Sequence, residues 1–157
     1  MKLDVGCGAN PKGDVNVDLF IKTTLHRTKN HVINPKLIPN FVRCSANHLP
    51  FRNKVFDDSI SCHVLEHKGI VTMLMIKEMV RVTRKSVEIV VPHRFNDRKH
   101  HPAHARQFSK SSMEALLRKM GLLFQVDVTY RYFPHIFFHL VSLPHELHIK
   151  IKPLELV

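Results

Sequence analysis

The sequence predicts an α/β fold in which a doubly wound, mostly parallel sheet carries helices on both faces and ends in an antiparallel strand. Three observations support this prediction. Short apolar runs with strand character recur along the chain, stretches with helical periodicity separate several of them, and a turn with two glycines directly follows the first run. The chain has 157 residues, of which 44% are hydrophobic, so we expect a single domain over residues 1–157.

The predicted strands are short and bounded by polar connectors. The segment near the C-terminus alternates apolar and polar residues with a period of two, which indicates an edge or antiparallel strand with one face in water. The strand segments are residues 2–5, 15–18, 41–44, 58–62, 87–91, 123–129 and 147–151.

Two segments have helical character. Residues 70–84 carry apolar side chains at helical spacing and end in cations, which suit a helix C-terminus. Residues 109–120 begin with a serine-rich cap and stop before Gly121. Residues 21–40 and 93–107 are expected to be loops, and the second of these should border a ligand site because it follows a predicted parallel strand.

Composition points to acidic partners. The formal net charge is +11, with 24 Lys and Arg residues against 13 Asp and Glu residues, and such a surface attracts nucleic acids and other polyanions. No apolar run is long enough to cross a membrane and no apolar signal region follows the N-terminus, so we expect a cytoplasmic protein without a membrane segment. The three cysteines form no CxxC pair, and we expect them to be reduced.

The turn after the first strand is the strongest local signal. Residues 3–11 read Leu-Asp-Val-Gly-Cys-Gly-Ala-Asn-Pro, and glycines there allow a ligand to lie against the backbone. Pro11 stands where a dinucleotide fingerprint needs its third glycine, and the Gly-Lys-Ser/Thr ending of a phosphate loop is missing. Asp18 closes the next strand, where a carboxylate can accept hydrogen bonds from both hydroxyls of a ribose.

Seven segments in order resemble the class I S-adenosylmethionine-dependent methyltransferases, and most closely their type 11 branch. The resemblance covers about residues 2–130, and relative to the family this chain has no helix before the first strand and a short link between the glycine turn and the second strand. The expected form is therefore compact and reduced at the N-terminus, with a cofactor site that is open or closed by a partner subunit, as in a homodimer. The segments are Leu3-Asp-Val-Gly-Cys-Gly, Val15-Asn-Val-Asp, Leu49-Pro-Phe, Val55-Phe-Asp, Val64-Leu-Glu-His, Lys77-Glu-Met-Val-Arg-Val and Ile89-Val-Val-Pro.

The resemblance implies S-adenosylmethionine as the cofactor and places it along the strand ends. The glycine turn would hold the methionine end, Asp18 the ribose, and the 45–47 segment the adenine, although Ser45 replaces an acid that is usual in the family. Cys62 and His63 would face the reactive methyl group. Cys7 also has a plainer interpretation as a small packing residue. The predicted cofactor-binding residues are Asp4, Gly6, Cys7, Gly8, Asp18, Leu19, Ser45, Ala46, Asn47, Cys62 and His63.

The predicted function is methyl transfer to an unidentified acceptor, with nucleic acid or another acidic partner as the favoured class. His63 is the first choice for the group that accepts the acceptor's proton, since its pKa lies in the useful range. His93 and His104 are second choices. The alternative is a catalytically silent module of the same fold that binds nucleic acid or protein.

Three further patterns have competing interpretations. His63 to His67 matches the HxxEH motif of inverted zinc peptidases, but an apolar strand feeds it, so Glu66 is read as a helix-start acid and no metal site is predicted. The His-, Arg- and Lys-rich 93–107 segment is a solvated loop, a substrate-binding surface or a metal site. The aromatic residues of the 130–138 segment either belong to a core and edge strand or stack on bases. They are Tyr130, Tyr132, Phe133, Phe137 and Phe138.

Overall fold

The fold is given by a computed structural model that describes residues 1–21, 33–95, 103–134 and 140–153. Seven strands form one sheet, and two α-helices and one short 3-10 turn accompany them in the described residues. The elements are β1 (Lys2–Val5), β2 (Val15–Asp18), the 3-10 turn Pro35–Leu37, β3 (Phe41–Arg43), β4 (Phe56–Cys62), α1 (Thr72–Val82), β5 (Thr83–Pro92), α2 (Lys110–Lys119), β6 (Leu123–Pro134) and β7 (Leu140–Lys152).

The strand order is β3-β2-β1-β4-β5-β7-β6. Strands β1 to β5 pair in parallel, whereas β7 is antiparallel to both β5 and β6. The chain therefore reverses its strand order after β3, between β1 and β4, and the carboxyl ends of β1, β2 and β4 meet at this switch point. In open α/β sheets ligands bind at such a point. The predicted fold class, including the antiparallel C-terminal strand, is confirmed.

Several element boundaries differ from the sequence-based prediction; β4 and β5, for example, begin at Phe56 and Thr83 rather than at residues 58 and 87. The first helix ends at Val82 instead of continuing to residue 84, because Thr83 already pairs with Phe56 as the first residue of β5 and its hydroxyl donates to Ser59 Oγ at 2.9 Å. The last two strands are longer than their apolar segments, since the pairing of β6 with β7 extends as far as the residue pair Pro134 and Leu140. Pairing with a neighbouring strand extends these strands beyond the range that side-chain hydropathy marks.

One face of the sheet is apolar and carries both described helices. Alternate strand residues on this face, such as Leu3, Val17, Val87 and Ile149, form one cluster with the buried side chains of α1 and α2. Those helical side chains are Met75, Ile76, Met79 and Val82 of α1 and Met113 and Leu117 of α2. Their burial is the main source of stability, at roughly 1.5–3 kcal/mol for each large apolar side chain.

The opposite face of the sheet is polar. Asp4 and Asn16 lie on it in β1 and β2, and Glu88 and Lys150 form a cross-strand pair at 3.8 Å between β5 and β7. Ser86 Oγ donates to Asp58 Oδ1 at 2.7 Å on the same face. A smaller apolar cluster around Cys7, Ile33 and Ile38 covers the β2–β3 end. Within the described residues, both α-helices therefore pack on a single face of the sheet.

The connection between β1 and β2 is unusually short for a parallel pair. Residues 6–14 make the crossover without a helix, whereas such connections commonly need a dozen or more residues. The loop returns along the polar face of β1. Lys12 N donates to Asp4 Oδ2 at 2.8 Å, and Asp14 N donates to Lys2 O at 2.8 Å. These contacts replace the covering helix and keep the carboxyl end of β1 accessible.

A hydrogen-bonded pair on α1 anchors the segment that leads into β4. Arg81 donates to both carboxylate oxygens of Glu78 at 2.7 and 2.8 Å and to the carbonyls of Leu49 and Phe51 at 2.9 and 2.8 Å. Glu78 in turn accepts the backbone N–H of Leu49 at 2.8 Å. The hydrogen bond from the Arg81 guanidinium is the main cause that lowers the pKa of Glu78, and the Leu49 N–H adds to this effect.

Two further observations concern expectations from the sequence. The helices of the described residues are too short or too polar to span a bilayer. The three cysteines lie among the described residues as thiols, with Cys7 buried and Cys44 and Cys62 half-buried.

Candidate active site

A cavity of about 530 Å³ opens at the carboxyl ends of β1, β2 and β4. Its walls combine the glycine turn after β1, the end of β2, the segment after β3 and the first residues after β4. Its volume falls in the range of about 300–1,000 Å³ that is common for small-molecule sites. The cavity therefore lies at the switch point of the sheet, where the fold predicts a ligand.

The glycine turn has a conformation that other residues would strain. Gly6 and Gly8 have φ values of 76° and 59°, in the left-handed region that glycine adopts without penalty. The backbone N–H groups of Gly6 and Cys7 both donate to Val17 O, at 2.8 and 3.0 Å. A Cβ atom on Gly6 would lie 2.2 Å from Val64 Cγ2. The turn is thus fixed between β2 and the segment that follows β4.

Asp18 joins the end of β2 to the glycine turn. Its Oδ2 accepts the backbone N–H of Gly8 at 3.1 Å, and its Oδ1 accepts the N–H of Phe20 at 2.9 Å. The residue is 7% exposed and lines the cavity. Asp18 thus brings to the cavity wall a carboxylate that also holds two backbone N–H groups.

Asp4 contributes a second buried carboxylate to the cavity wall. It is 3% exposed, and one of its oxygens accepts the backbone N–H of Lys12. Burial raises its pKa, and the nearby carboxylate of Asp18 adds to this effect, while the Lys12 N–H and ammonium groups oppose it. Two carboxylates beside one cavity make this end of it suitable for cationic groups and hydroxyls.

The structure places most of the predicted cofactor-binding residues on the cavity wall, but not Ser45 or Asn47. Ser45 Oγ accepts the N–H of Asn47 at 3.2 Å in a tight turn. The Asn47 side chain bonds to Gly69 O at 2.8 Å and to Val71 N at 2.9 Å, so it holds the start of α1. The residues on the wall are Asp4, Gly6, Cys7, Gly8, Asp18, Leu19, Ala46, Cys62 and His63.

Several cavity residues were not predicted from the sequence. Lys12 and Lys68 bring two exposed ammonium groups to the cavity, and Lys12 Nζ lies 3.4 Å from Cys62 Sγ. Cys44 and Ile70 add apolar surface, and burial raises the pKa of Cys44 to about 11. Lys12 directly follows Pro11 of the glycine motif, so its position in the sequence could have indicated that it lies near the cavity. The other three reach the cavity only through the tertiary fold.

His63 stands where β4 ends, in a strained backbone conformation. Its φ is 56°, which is uncommon outside glycine and is typical of functional sites. Its N–H donates to Val90 O at 2.9 Å, and its Nε2 lies 2.9 Å from Glu146 Oε1. Its Nδ1 lies 3.6 Å from Glu66 Oε1. The adjacent Glu66 carboxylate, assisted by Glu146 and opposed by burial, raises the pKa of His63.

Glu146 is a site residue that sequence reasoning missed. It lies on the polar face of β7, opposite Pro92 of β5, and its second carboxylate oxygen is 3.5 Å from His148 Nε2. The alternation of the 147–151 segment predicts a polar face on this strand. It does not predict that the strand inserts next to β5, which is what brings Glu146 to His63.

The other two histidines proposed as proton acceptors lie away from the cavity wall. His93 is 6% exposed and faces a separate depression with Ser109 and Glu114, and burial, together with Arg94, lowers its pKa. His104 lies against Glu66, with 3.9 Å between Nε2 and Oε1. Of the three predicted candidates, His63 alone lines the cavity.

Part of the basic loop and part of the aromatic segment lie outside the described residues. This applies to residues 96–102 and 135–139, including His100, His101, Phe137 and Phe138. Tyr130 lies on the edge strand β6 and is 53% exposed. The 93–107 segment was expected to border the ligand site. Its described part from Ala103 onwards packs against the segment that follows β4, where Lys68 N donates to Ala103 O at 2.8 Å.

Comparison with known proteins yields one family and many structural matches. Residues 14–91 match the family described as a methyltransferase domain, the type 11 group. No curated protein matches the sequence. The matched segment starts at Asp14, the last residue of the short crossover, so the glycine turn lies before it.

Solved structures share the fold at low sequence identity. One is an S-adenosylmethionine-dependent methyltransferase from Thermotoga maritima, described as a possible histamine N-methyltransferase, with a TM-score of 0.68, 16% identity, and coverage of 97% of this chain and 81% of that chain. Another is the YcgJ protein of Bacillus subtilis, with a TM-score of 0.64, 16% identity, and coverage of 98% and 92%. A third comes from a complex of the Haloferax volcanii Trm112 methyltransferase activator with a methyltransferase, with a TM-score of 0.63, 11% identity, and coverage of 97% and 81%. Together these matches establish the fold.

Proposed function

Because the chain belongs to the class I S-adenosylmethionine-dependent methyltransferases of type 11, we propose that it transfers a methyl group from S-adenosylmethionine to an acceptor that binds beside His63. The observation that carries this proposal is a single cavity between two groups of residues. The glycine turn and Asp18 lie on one side of it, and Cys62 and His63 lie on the other.

The residues present in the cavity fit this cofactor. The carboxylate of Asp18 lines the cavity at the end of β2, where an acceptor suits ribose hydroxyls, and the buried Asp4 suits the ammonium group of the methionine part. Leu19, Ala46 and Ile70 offer apolar surface for the adenine ring. S-adenosylmethionine supplies a methyl group on a positively charged sulfur, which is a good leaving group.

His63 is suited to accept the proton that the acceptor loses. With Nε2–H donating to Glu146 Oε1 at 2.9 Å, Nδ1 carries the lone pair that takes up the acceptor's proton, and the resulting imidazolium is stabilised by the carboxylates of Glu146 and Glu66. Those carboxylates also orient the ring, because each lies near a different nitrogen.

We further propose that the acceptor is anionic and that nucleic acid is the first class to test. Lys12 and Lys68 place two exposed cations at the cavity, and Lys12 Nζ lies 3.4 Å from Cys62 Sγ. The net charge of +11 gives the whole chain a favourable field for a polyanion. Both features raise the local concentration of an anionic acceptor, although they do not select its reacting atom.

A silent binding module remains the second candidate, and one observation favours it. Both oxygens of Asp18 already accept backbone N–H groups, so this carboxylate has a structural role even without a ligand. A module that has lost turnover could keep the residue for that reason alone. Cofactor binding separates the two candidates.

The first test is isothermal titration calorimetry of the purified chain with S-adenosylmethionine and with S-adenosylhomocysteine. We expect saturable binding of both, at one molecule per chain. The second test supplies S-adenosylmethionine with a labelled methyl group together with fractionated cell extract. Label entering the nucleic-acid fraction supports the proposed acceptor, and label entering only protein or small molecules rejects it. Absence of cofactor binding rejects the enzyme in favour of the silent module.

A further inference from the structure

Glu66 is a fully buried acid with no assigned role in the proposed methyl transfer beyond its contact with His63. Its side chain is 0% exposed, and neither carboxylate oxygen has a hydrogen-bond partner within the described residues. Buried polar groups are nearly always hydrogen-bonded, and a buried charge is paired or bound to a metal. Glu66 therefore requires a cationic partner.

Two histidines converge on this carboxylate. The carboxylate of Glu66 and ring nitrogens of His67 and His104 provide one ligand atom each, all within 4.8 Å of one another. The distance between His104 Nε2 and Glu66 Oε1 is 3.9 Å. Ligand atoms that share an ion at bond lengths of about 2.0–2.2 Å are at most about 4.4 Å apart. The observed separations, all within 4.8 Å, are close to this limit.

The backbone holds the two contributing segments in register. His67 and His104 form an isolated antiparallel bridge, with Lys68 N donating to Ala103 O and Ala105 N donating to Glu66 O, both at 2.8 Å. The rings of the two histidines meet edge to face at 4.9 Å between centroids. The ligand groups are thus positioned by main-chain contacts, as a preorganised site needs.

Within the described residues, the ion-pair contacts of Glu66 are with two histidines, His63 at 3.6 Å and His104 at 3.9 Å. Arg106 directs its guanidinium to Ile70 O, and His63 Nδ1, at 3.6 Å, is too far for a hydrogen bond. A histidine is a cation only when it is protonated. A metal ion would neutralise the carboxylate while using the histidines in their neutral form.

We propose that Glu66, His67 and His104 bind one divalent first-row transition-metal ion, with Zn²⁺ as the reference case. Two imidazole nitrogens and one carboxylate are a ligand set used by zinc and by other ions of this series, and three protein ligands leave coordination positions open. The inference does not depend on the proposed methyl transfer, because metal binding can be measured without cofactor or acceptor.

The proposal differs from the peptidase interpretation of the same sequence motif. In that pattern the two histidines of HxxEH share a helix and the intervening acid activates water. Here Glu66 and His67 lie in the segment between β4 and α1, and the second histidine ligand is the distant His104. His67 also lines the cavity, so a bound ion would connect the cavity wall to the segment that starts at Ala103.

The experiment uses the full chain, dialysed against a chelator and then titrated with Zn²⁺, or with Co²⁺ as a spectroscopic probe. We expect one ion per chain by elemental analysis, visible d–d absorption with Co²⁺, and a rise in Tm when Zn²⁺ is added. Glu66→Gln and His104→Asn should each weaken metal affinity by at least about tenfold, the scale seen for coordination-sphere changes. The matched control is His48→Asn, because His48 is an exposed histidine outside the cluster.

Two outcomes overturn the proposal. One is the absence of a bound ion in the unaltered chain, together with an unchanged Tm on Zn²⁺ addition. In that case a protonated histidine neutralises Glu66. The other is equal metal affinity in His104→Asn and His48→Asn, which would assign the binding to other histidines of the chain. The Co²⁺ spectrum of the unaltered chain decides the question if Glu66→Gln does not fold.

Discussion

The carboxylate of Asp18 holds the backbone of Gly8 through a 3.1 Å hydrogen bond, so the end of β2 positions the turn that follows β1. The two residues lie on neighbouring strand ends with only a short crossover between them. The acid and the glycine turn consequently form one unit. A change to Asp18 should disturb the turn as well as any group that binds to the carboxylate.

Replacing Asp18 by Asn should weaken S-adenosylmethionine binding at least about tenfold and lower stability by about 1–3 kcal/mol. The amide offers a single acceptor oxygen, so one of the two backbone N–H groups loses its partner. Calorimetry and denaturant unfolding measure the two effects. Asp14→Asn is the matched control, because Asp14 also accepts a backbone N–H but does not line the cavity. Equal cofactor affinity in the two variants would contradict the placement of the site.

Gly6→Ala should be more destabilising than Gly69→Ala. Both glycines have left-handed φ values, 76° and 83°, so each alanine costs about 1–2 kcal/mol of backbone strain. A Cβ on Gly6 also meets Val64 Cγ2, whereas a Cβ on Gly69 meets no heavy atom within 4 Å. The extra clash should add about 1–3 kcal/mol. Urea unfolding of both variants measures the difference.

Adding Val64→Ala to Gly6→Ala should recover part of the lost stability, because it removes the clashing methyl group. A double variant no more stable than Gly6→Ala alone would show that Val64 is not the obstacle.

His63→Gln should reduce turnover by about 10²–10⁴-fold, the usual contribution of a proton-transfer group. Cofactor affinity should stay within about threefold, since the proposed role concerns the acceptor's proton. The measurements are transfer of labelled methyl groups and calorimetry with S-adenosylhomocysteine. His93→Gln serves as the comparison, because His93 faces a different depression. Similar losses in both variants would exclude His63 as the specific proton acceptor.

Lys12→Gln and Lys68→Gln should each weaken binding of an RNA or DNA oligonucleotide. If each ammonium group contacts a phosphate, the slope of log K against log salt concentration should become shallower by about 1 per substitution. Fluorescence anisotropy across a salt series gives this slope. Lys85→Gln is the control, since Lys85 is an exposed lysine paired with Asp57 and lies outside the cavity. If the slope changes by the same amount in Lys85→Gln, oligonucleotide binding depends on the overall positive charge of the chain and not on the two cavity lysines.

The Glu78–Arg81 pair should contribute to stability at neutral pH and lose that contribution in acid. The pKa of Glu78 is lowered from 4.5 in the folded chain, so the folded state favours the ionised form. Its stabilisation is fully present above pH 4.5 and is lost as the pH falls through the lower folded value. The difference in unfolding free energy between the unaltered chain and Glu78→Gln should therefore shrink below pH 4.5.

Glu114→Gln provides a reference for this pH series, because Glu114 lies on α2 and its ion pairs within the described residues are with Lys110 and Arg118 of the same helix. A constant difference for Glu78→Gln down to pH 3 would show that the ion pair does not stabilise the fold.

Much of the sheet could be predicted from local sequence. The positions of β1 and β2 match their apolar segments, because burial on the helix-covered face requires alternate large side chains such as Val15 and Val17. The cavity position followed from the glycines and from Asp18, since strand ends and turn chemistry are encoded within a few residues. The sequence predicted helices on both faces of the sheet, but it did not indicate that the two described helices pack on the same face.

The remaining features depend on long-range contacts that no local pattern encodes. Ser45 and Asn47 stand where the family resemblance predicts contacts with adenine. The Asn47 side chain instead bonds to Gly69 and Val71 at the start of α1. Glu66 and His104 are far apart in sequence and meet because main-chain bonds pair their segments. Local spacing could suggest Glu66 and His67 as ligands of the proposed metal site, but it could not identify His104 as the third ligand.

The polar face of the sheet affects how stability varies with temperature. A sheet covered by helices on both sides hides apolar surface twice, whereas within the described residues the polar face of β7 carries exposed side chains such as His148 and Lys150. Unfolding should then expose less new apolar area per residue, and the heat-capacity change should fall at or below the usual value of about 12–15 cal/mol/K per residue. The stability curve would be correspondingly broad, so that cooling and moderate warming alter the folded population less than in a two-sided sheet of the same length.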